Sequence, residues 1–205
     1  MSSTNRKNAK KRRVADYYVT PQQCIRDFLN EWLVDLKDDG YDDILKVGER
    51  PDRALWLDPC AGGDNNHKMS YPEVIKKEFG VDTDTIDIRE DSLATVKEDF
   101  LQAEFNEQEK YDVIITNPPF NLAQEIIEKS LEHTKQGGYV VMLLRLNFFG
   151  SKARKPFWDK QLPVWAYVHH KRMSFTDDGG TDSIEYSHMV FVKGQSPRFT
   201  MLKII

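Results

Sequence analysis

An amide, a rigid backbone and an aromatic ring stand at four consecutive positions, Asn117-Pro118-Pro119-Phe120. They follow the β-branched run Val113–Ile115, which predicts a buried parallel strand that the two prolines end. Open α/β sheets bind ligands at the carboxyl edge of such strands, so this corner is a candidate site. There an amide oxygen and a prolyl carbonyl can accept two N–H bonds from one amine, while the aromatic ring stacks on a flat ligand. The alternative is a tight turn that leads into the helix predicted after it.

The four residues resemble the Asn/Asp-Pro-Pro-Tyr/Phe/Trp motif of amino-group methyltransferases that use S-adenosylmethionine, and they match it at every position. The resemblance implies that Asn117, Pro118, Pro119 and Phe120 are catalytic and that Asn117 also contacts the cofactor. An exocyclic adenine amine is a poor nucleophile because its lone pair is delocalised into the ring. Two N–H acceptors would favour a pyramidal nitrogen, so that methyl transfer needs positioning more than a strong base. Phe120 would stack on the base once it has left the duplex.

A glycine-rich segment follows another predicted strand, Ala54–Leu57. A glycine-rich turn directly after a strand lets the backbone approach a ligand that a side chain would exclude. This segment, residues 58–64, resembles the Asp-Pro-x-x-Gly-x-Gly/Asp loop of methyltransferases, which wraps the methionine end of the cofactor. The resemblance assigns to the cofactor the residues Asp58, Pro59, Cys60, Ala61 and Gly62.

Acidic residues after this loop are candidates for contacts to a nucleoside. Thr85–Ile88 predicts the second strand, and an acid at the end of that strand is where a nucleoside-binding sheet places a ribose-hydroxyl acceptor. We therefore assign Asp87, with its neighbour Ile88, to the cofactor. Asp99-Phe100 resembles the element whose acid accepts from the cofactor's adenine amine while the next residue packs on the adenine ring. Surface charge is the alternative role for Asp99.

The segment before the first long helix is a further candidate. Thr20 as N-cap and Pro21 as first helical residue predict a helix from Gln22 to about Lys37. The helix could serve packing alone, but its N-terminus also favours an anion. The Tyr-x-Thr-Pro pattern resembles the element before the first strand of adenine methyltransferases, which implies that Tyr18, Thr20 and Pro21 contact the cofactor's carboxylate.

Two later segments are candidates for binding nucleic acid. Residues 147–158 interleave basic and aromatic side chains, which can grip phosphates and stack on bases. The alternative is a helix whose aromatic residues pack on the sheet while its lysines face water. The loop between two strands predicted at 164–168 and 187–192 contains elements similar to those of small phage-borne adenine methyltransferases. The predicted substrate contacts are Phe120, Lys152, Arg154, Arg172 and Phe175.

Length and composition favour one globular domain, since the chain has 205 residues, of which 40% are hydrophobic and 30% charged. Residues 1–13 hold six basic residues and no acidic residue, which leaves 23 basic against 33 acidic residues in the rest. We predict that residues 1–15 form a basic flexible arm, which either neutralises phosphates or is a solvated tail, and that 16–205 form one catalytic domain. The sequence shows no membrane span and no signal peptide, so we expect a cytoplasmic protein, in the host if phage-encoded. Neither the two cysteines nor the adjacent histidines have a zinc-binding spacing, so no metal is expected.

These features together predict an α/β fold, the Rossmann-like class I methyltransferase fold, with a mostly parallel seven-stranded sheet and helices on both faces. The motif order resembles that of gamma-type N6-adenine methyltransferases, including phage and prophage enzymes, without their separate target-recognition domain. The resemblance implies methyl transfer from S-adenosylmethionine to the N6 of adenine in DNA, with base flipping. Loops 147–162 and 172–186, or a partner protein, could supply specificity. An RNA adenine or protein-glutamine methyltransferase remains an alternative, as does a catalytically idle module that binds cofactor or nucleic acid.

Overall fold

The structure is a computed structural model that describes residues 18–38, 54–106, 110–175, 180–181 and 183–205. The predicted basic arm, residues 1–15, lies outside the described residues. None of the described helices is long and apolar enough to cross a membrane. In chain order the helices and strands are α1 Gln22–Asp38, β1 Trp56–Asp58, α2 Ser70–Phe79, β2 Asp84–Asp87, β3 Val96–Lys97, β4 Tyr111–Thr116, α3 Ala123–His133, β5 Thr134–Arg145, a 3-10 turn Leu146–Phe149, α4 Lys155–Trp158, β6 Trp165–Val168, β7 Tyr186–Val192 and β8 Met201–Ile204.

The strands form one mixed sheet in the order β3-β2-β1-β4-β5-β7-β6-β8. The pairs from β3 to β5 are parallel, β7 runs antiparallel to both β5 and β6, and β8 is parallel to β6. The predicted antiparallel pairing of the strands at 164–168 and 187–192 is therefore confirmed. Because β2 lies on one side of β1 and β4 on the other, the strand order reverses between β1 and β4, where open α/β sheets bind ligands.

Alternating side chains of the central strands pack against helices on opposite faces of the sheet. Val113 and Ile115 of β4 lie in the apolar layer that contains α1 and α2. Ile114, between them, belongs to the layer that contains α3 and α4. This two-sided burial explains why the central strands read as continuous apolar runs, and it confirms the predicted helices on both faces.

The predicted count of seven strands is wrong, because the described residues form eight. The strand that had not been predicted at the carboxyl end is β8, which pairs with β6 at the edge of the sheet. Three of its four residues are exposed, so it lacks the apolar alternation that identifies a half-buried strand. The short strand β3 is exposed at both of its positions and had not been predicted either.

Candidate active site

The carboxyl ends of the neighbouring strands β1 and β4 bring two predicted site residues to the same edge of the sheet. Asp58 is the last residue of β1, and Asn117 directly follows β4. The parallel register of the strands, with Leu57 beside Ile114, places Asn117 just beyond the end of β1. The Asn-Pro-Pro-Phe corner therefore lies at the point where the strand order reverses.

Thr20 and Asn117 are joined by a hydrogen bond. The Asn117 Nδ2 donates to Thr20 Oγ1 over 3.1 Å, and Thr20 is only 3% exposed. With its nitrogen bound to Thr20, the amide has its oxygen turned away from Thr20. The Asn117 side chain, half-buried, is thus presented with a defined acceptor end.

The prediction that Thr20 is the N-cap of α1 is wrong. The helix begins at Gln22, and the carbonyl of Pro21 accepts bonds from the N–H groups of Cys24 and Ile25 at 3.1 and 3.4 Å. Pro21 therefore occupies the capping position, and the hydroxyl of Thr20 links this segment to the corner after β4.

The turn and the site interpretations of Asn-Pro-Pro-Phe are compatible in the structure. The Leu122 N–H donates to the Pro119 carbonyl over 2.9 Å, which closes a turn directly before α3. Pro118 is buried, whereas Pro119 and Phe120 are half-buried. The turn holds the backbone rigid while part of the Phe120 ring stays accessible.

Phe120 belongs to a cluster of aromatic rings. Its ring centroid lies 5.9 Å from that of Tyr186, and the Phe175 centroid lies 4.9 Å from Tyr186 on the same cluster. Tyr18 contacts Phe175 edge-on, at 5.9 Å. The structure thus brings two of the predicted substrate contacts, Phe120 and Phe175, to one buried tyrosine. Tyr18, predicted to contact the cofactor, lies against Phe175.

Arg145 is a residue of this cluster that the sequence interpretation missed. Its guanidinium carbon lies 4.7 Å from the centroid of the Phe120 ring, and its Nε donates to the Tyr186 hydroxyl over 3.2 Å. Arg145 was visible as the one charged residue that interrupts the apolar run from Tyr139 to Leu146. That interruption was the available signal, since a charge in such a run requires a partner.

Asp87 holds the glycine-rich loop in place. Its Oδ2 accepts from the Gly62 N–H over 2.7 Å, and its Oδ1 accepts from the Arg89 N–H over 2.8 Å. Gly62 and Gly63 both have positive φ, at 65° and 75°. A Cβ on Gly63 would lie 2.9 Å from the Cγ of Met69, so the loop requires glycine there for both conformation and space.

Asp58 and Cys60 are enclosed by the same loop. Asp58 is 1% exposed and accepts from the Cys60 N–H over 3.2 Å. Burial raises the pKa of Asp58 to about 7, so its carboxyl group changes charge near neutral pH. Burial also raises the pKa of the Cys60 thiol well above its ordinary value, which keeps it protonated and unreactive. Pro59 and Ala61 are buried beside them, and the Ala61 N–H donates to the Ile86 carbonyl over 3.0 Å.

The two residues predicted to hold the cofactor's adenine differ in their exposure. Asp99 is half-buried, and its Oδ1 accepts from the Leu101 N–H over 3.0 Å. Phe100 is 3% exposed and packs in the apolar layer beneath α3. Ile88, in contrast, is 60% exposed directly after Asp87, where it offers apolar surface beside the candidate ribose acceptor.

The aromatic residues of the segment 147–158 pack inward, as the alternative interpretation of that segment predicted. Phe157 and Trp158 are buried against the sheet. Arg154 donates from Nε to the Phe148 carbonyl over 2.8 Å and lies over the ring of Phe148. The exposed cations among the predicted substrate contacts are Lys152 and Arg172.

A buried polar chain lies on the α1 side of the sheet. His188 contacts the Tyr71 hydroxyl at 2.9 Å through Nε2 and contacts His169 at 2.8 Å through Nδ1. Burial lowers the pKa of His169 to about 4 and that of His188 well below its ordinary value, so both rings are neutral at pH 7. In the described residues, no group of three or more histidine, cysteine or acidic side chains is arranged to hold a metal ion.

Part of the chain is similar in sequence to a known protein family. The family described as Eco57I restriction-modification methylase matches residues 49–141, less than half of the chain. The matched part contains the glycine-rich loop, Asp87 and the Asn-Pro-Pro-Phe corner. No curated protein matches the chain in sequence.

Known structures share the fold at low sequence identity. A candidate class I S-adenosylmethionine-dependent methyltransferase from Listeria monocytogenes superimposes with a TM-score of 0.61 at 17% identity, covering 91% of this chain and 65% of that one. This chain thus spans just under two thirds of that protein. A candidate RNA methyltransferase from Pyrococcus horikoshii gives 0.60 at 12% identity and covers 90% of both chains. The type IIL restriction-modification enzyme MmeI, in complex with DNA, gives 0.56 at 12% identity, covering 92% of this chain and 38% of that one. The fold is therefore that of class I methyltransferases, with eight described strands.

Proposed function

We propose that this chain transfers a methyl group from S-adenosylmethionine to the exocyclic N6 amine of adenine in DNA. The observation that supports this most is the Asn117 amide, which donates through its nitrogen to buried Thr20 over 3.1 Å, so that its oxygen is turned away from Thr20. A fixed N–H acceptor in the same four-residue corner as an aromatic ring, Phe120, suits an amine attached to a flat base. The match to a restriction-modification methylase family supports DNA as the acceptor.

The residues at this edge of the sheet fit S-adenosylmethionine, the cofactor that the fold implies. Asp87 can accept from ribose hydroxyls through its remaining lone pairs, and exposed Ile88 can flank the nucleoside. The positive-φ backbone of Gly62 and Gly63 leaves the loop free of side chains at the point where the methionine part would approach. Thr20 and Pro21, at the start of α1, would lie near its carboxylate. When bound, the cofactor supplies an electrophilic methyl group.

The protein's own contribution is the placement of the amine. The Asn117 oxygen and the Pro118 carbonyl accept the two N–H groups, which favours a pyramidal nitrogen with a directed lone pair. Phe120 and Phe175, which both contact Tyr186, provide ring surface for a base that has been flipped out of the duplex. Lys152 and Arg172 are the exposed cations that would contact phosphates, together with the basic arm, residues 1–15.

The wider setting of this activity is also a proposal. Residues 16–205 form a single catalytic domain, and specificity comes from its loops or from a partner protein. The protein acts in the cytoplasm and belongs with phage and prophage enzymes. RNA is the second candidate acceptor, because the Pyrococcus structure, described as a candidate RNA methyltransferase, covers 90% of both chains.

The test offers labelled S-adenosylmethionine together with duplex DNA, single-stranded DNA or RNA, and identifies the labelled nucleoside after digestion. We expect N6-methyladenine from DNA. Asn117→Ala should reduce the transfer at least ~100-fold with little change in cofactor affinity, because it removes an interaction made mainly in the transition state. The matched control is Asn121→Ala, the same change at an exposed asparagine after the corner, which should keep full activity.

The possible results lead to different conclusions. Asn117→Ala activity within about tenfold of the unmodified protein would refute the amine-binding role. Label only in RNA adenines would replace DNA by RNA as the acceptor. Measurable binding of the cofactor with no label in any nucleic acid would refute the proposed activity and favour a binding module.

A further inference from the structure

We infer that Arg145 is a positioning residue for the target base: its guanidinium lies over the Phe120 ring and donates to the Tyr186 hydroxyl, and it thereby holds the ring on which the base stacks. This inference rests on the proposed function. The guanidinium carbon lies over the Phe120 ring, and in the proposed complex the target base stacks on the opposite face of that ring. Arg145 therefore acts on the substrate through Phe120.

The fold places Arg145 at the correct edge of the sheet. It is the last residue of β5, and β5 runs parallel to β4, so the carboxyl ends of both strands lie side by side. On its other side β5 pairs with β7, and Arg145 is directly opposite Tyr186 in the antiparallel register. Arg145 thus reaches Phe120 after one strand and Tyr186 on the other.

Two contacts offset the cost of placing a charge at this position. The six residues before Arg145, from Tyr139 to Leu144, are fully buried, so a half-buried cation here needs compensation. The distance of 4.7 Å to the Phe120 centroid is that of a cation–π contact, and the Nε bond to Tyr186 at 3.2 Å fixes the plane of the guanidinium. A lysine could not reproduce both contacts, because it lacks the planar fork.

Without Arg145, we expect the Phe120 ring to become mobile. Phe120 follows two prolines whose own φ angles are fixed, but its side chain is half-buried, so the guanidinium contact is needed to keep it in one rotamer. Loss of the guanidinium would loosen the ring and weaken the capture of the base. The glycine-rich loop follows β1, two strands away from β5 in the sheet, and would keep its affinity for the cofactor. This separation of effects distinguishes positioning of the base from a general loss of the site.

The experiment compares Arg145→Met, Arg145→Lys and the control Arg198→Met, the same change at an exposed arginine after β7. The substrate is a DNA duplex that the unmodified protein methylates, with 2-aminopurine replacing the methylated adenine when base flipping is monitored by fluorescence. Single-turnover methyl transfer, the fluorescence increase and the calorimetric Kd of S-adenosylmethionine are measured for each protein. Arg145→Met should reduce the transfer about tenfold to hundredfold and reduce the fluorescence increase, with the cofactor Kd unchanged. Arg145→Lys should give transfer and fluorescence values between those of Arg145→Met and the unmodified protein. Arg198→Met should match the unmodified protein.

A Phe120→Leu background tests the mechanism directly. If Arg145 acts through the ring, Arg145→Met should cost much less once the ring is absent, which a double-mutant cycle measures. Unchanged transfer and fluorescence in both Arg145 variants would overturn the inference, and so would a cofactor affinity that falls in parallel with activity. If the unmodified protein binds the cofactor but methylates no DNA, the proposed function is refuted. The inference about Arg145 then falls as well, because it rests on that function.

Discussion

Asp87→Asn should lower both the stability of the fold and the affinity for S-adenosylmethionine. The Asp87 carboxylate accepts from the Gly62 N–H at 2.7 Å and from the Arg89 N–H at 2.8 Å, and it is 7% exposed. Asparagine has one oxygen, so it can keep one of these bonds. The NH2 group of the asparagine would then face the second backbone N–H, that of Gly62 or Arg89. Two hydrogen-bond donors would therefore oppose each other in the protein interior.

The expected cost follows from these two bonds. A hydrogen bond to a charged group contributes about 1.5–3 kcal/mol, and Asp87→Asn loses one such bond and leaves a donor unsatisfied, so we expect a loss of about 2–3 kcal/mol. For a chain of this length this corresponds to a fall in the melting midpoint of roughly 5–10 °C. If the loop must be in place to bind S-adenosylmethionine, its Kd should weaken by roughly 30-fold to 150-fold.

The assay measures the thermal midpoint without cofactor and the calorimetric Kd of S-adenosylmethionine on the same variant. The control is Asp82→Asn, which removes an exposed ion pair with Lys76 and should change stability by less than about 1 kcal/mol. A lower affinity with an unchanged midpoint would mean that Asp87 acts on the ligand alone. An unchanged midpoint together with a Kd within about threefold would refute both roles of Asp87 and move the ribose acceptor elsewhere.

Two further substitutions test the surroundings of the corner. Burial keeps Asp58 protonated up to about pH 7, whereas in the unfolded chain it ionises near pH 4, so folded-state stability should fall as pH rises from about 4 to 7. Asp58→Asn should flatten this slope in chemical unfolding at pH 5, 6 and 7, and an equal slope in the variant would contradict the raised pKa. Thr20→Val removes the acceptor that holds the Asn117 amide and should lower kcat about tenfold, while Thr20→Ser should keep most activity. Equal rates for valine and serine would show that the hydroxyl does not position Asn117.

The sequence predicted the structure best where the residues of one short segment determine its conformation. The β-branched residues of β4 followed by two prolines predicted both the strand and the corner, because each signal is local. Gly62 and Gly63, after β1, predicted a turn in which the backbone can approach a ligand closely, and both have positive φ in the structure. These local signals sufficed to locate the candidate site at the edge of the sheet.

Contacts between distant segments could not be predicted in the same way. The pairing of Arg145 with Tyr186 depends on the register of β5 against β7, and the sequence identifies the two strands without giving their register. The bond between Asp87 and the Gly62 N–H was missed for a similar reason, since Asp87 had been chosen only for its position after a strand. The strands β3 and β8, at the two edges of the sheet, are short and mostly exposed, so neither was predicted from an apolar alternation.

Three hydrogen bonds between distant segments have the same arrangement, and this arrangement suits the proposed transfer, which depends on positioning more than on a strong base. The Thr20 bond to Asn117, the Asp87 bond to Gly62 and the Arg145 bond to Tyr186 each fix a group at the carboxyl edge of the sheet from a second element. A rigid sheet fixes only the backbone at its edge, so a reaction that depends on positioning needs such bonds to fix side chains and loops as well. Substitutions at the supporting residues should therefore lower the rate of methyl transfer without removing any group that touches the reacting atoms.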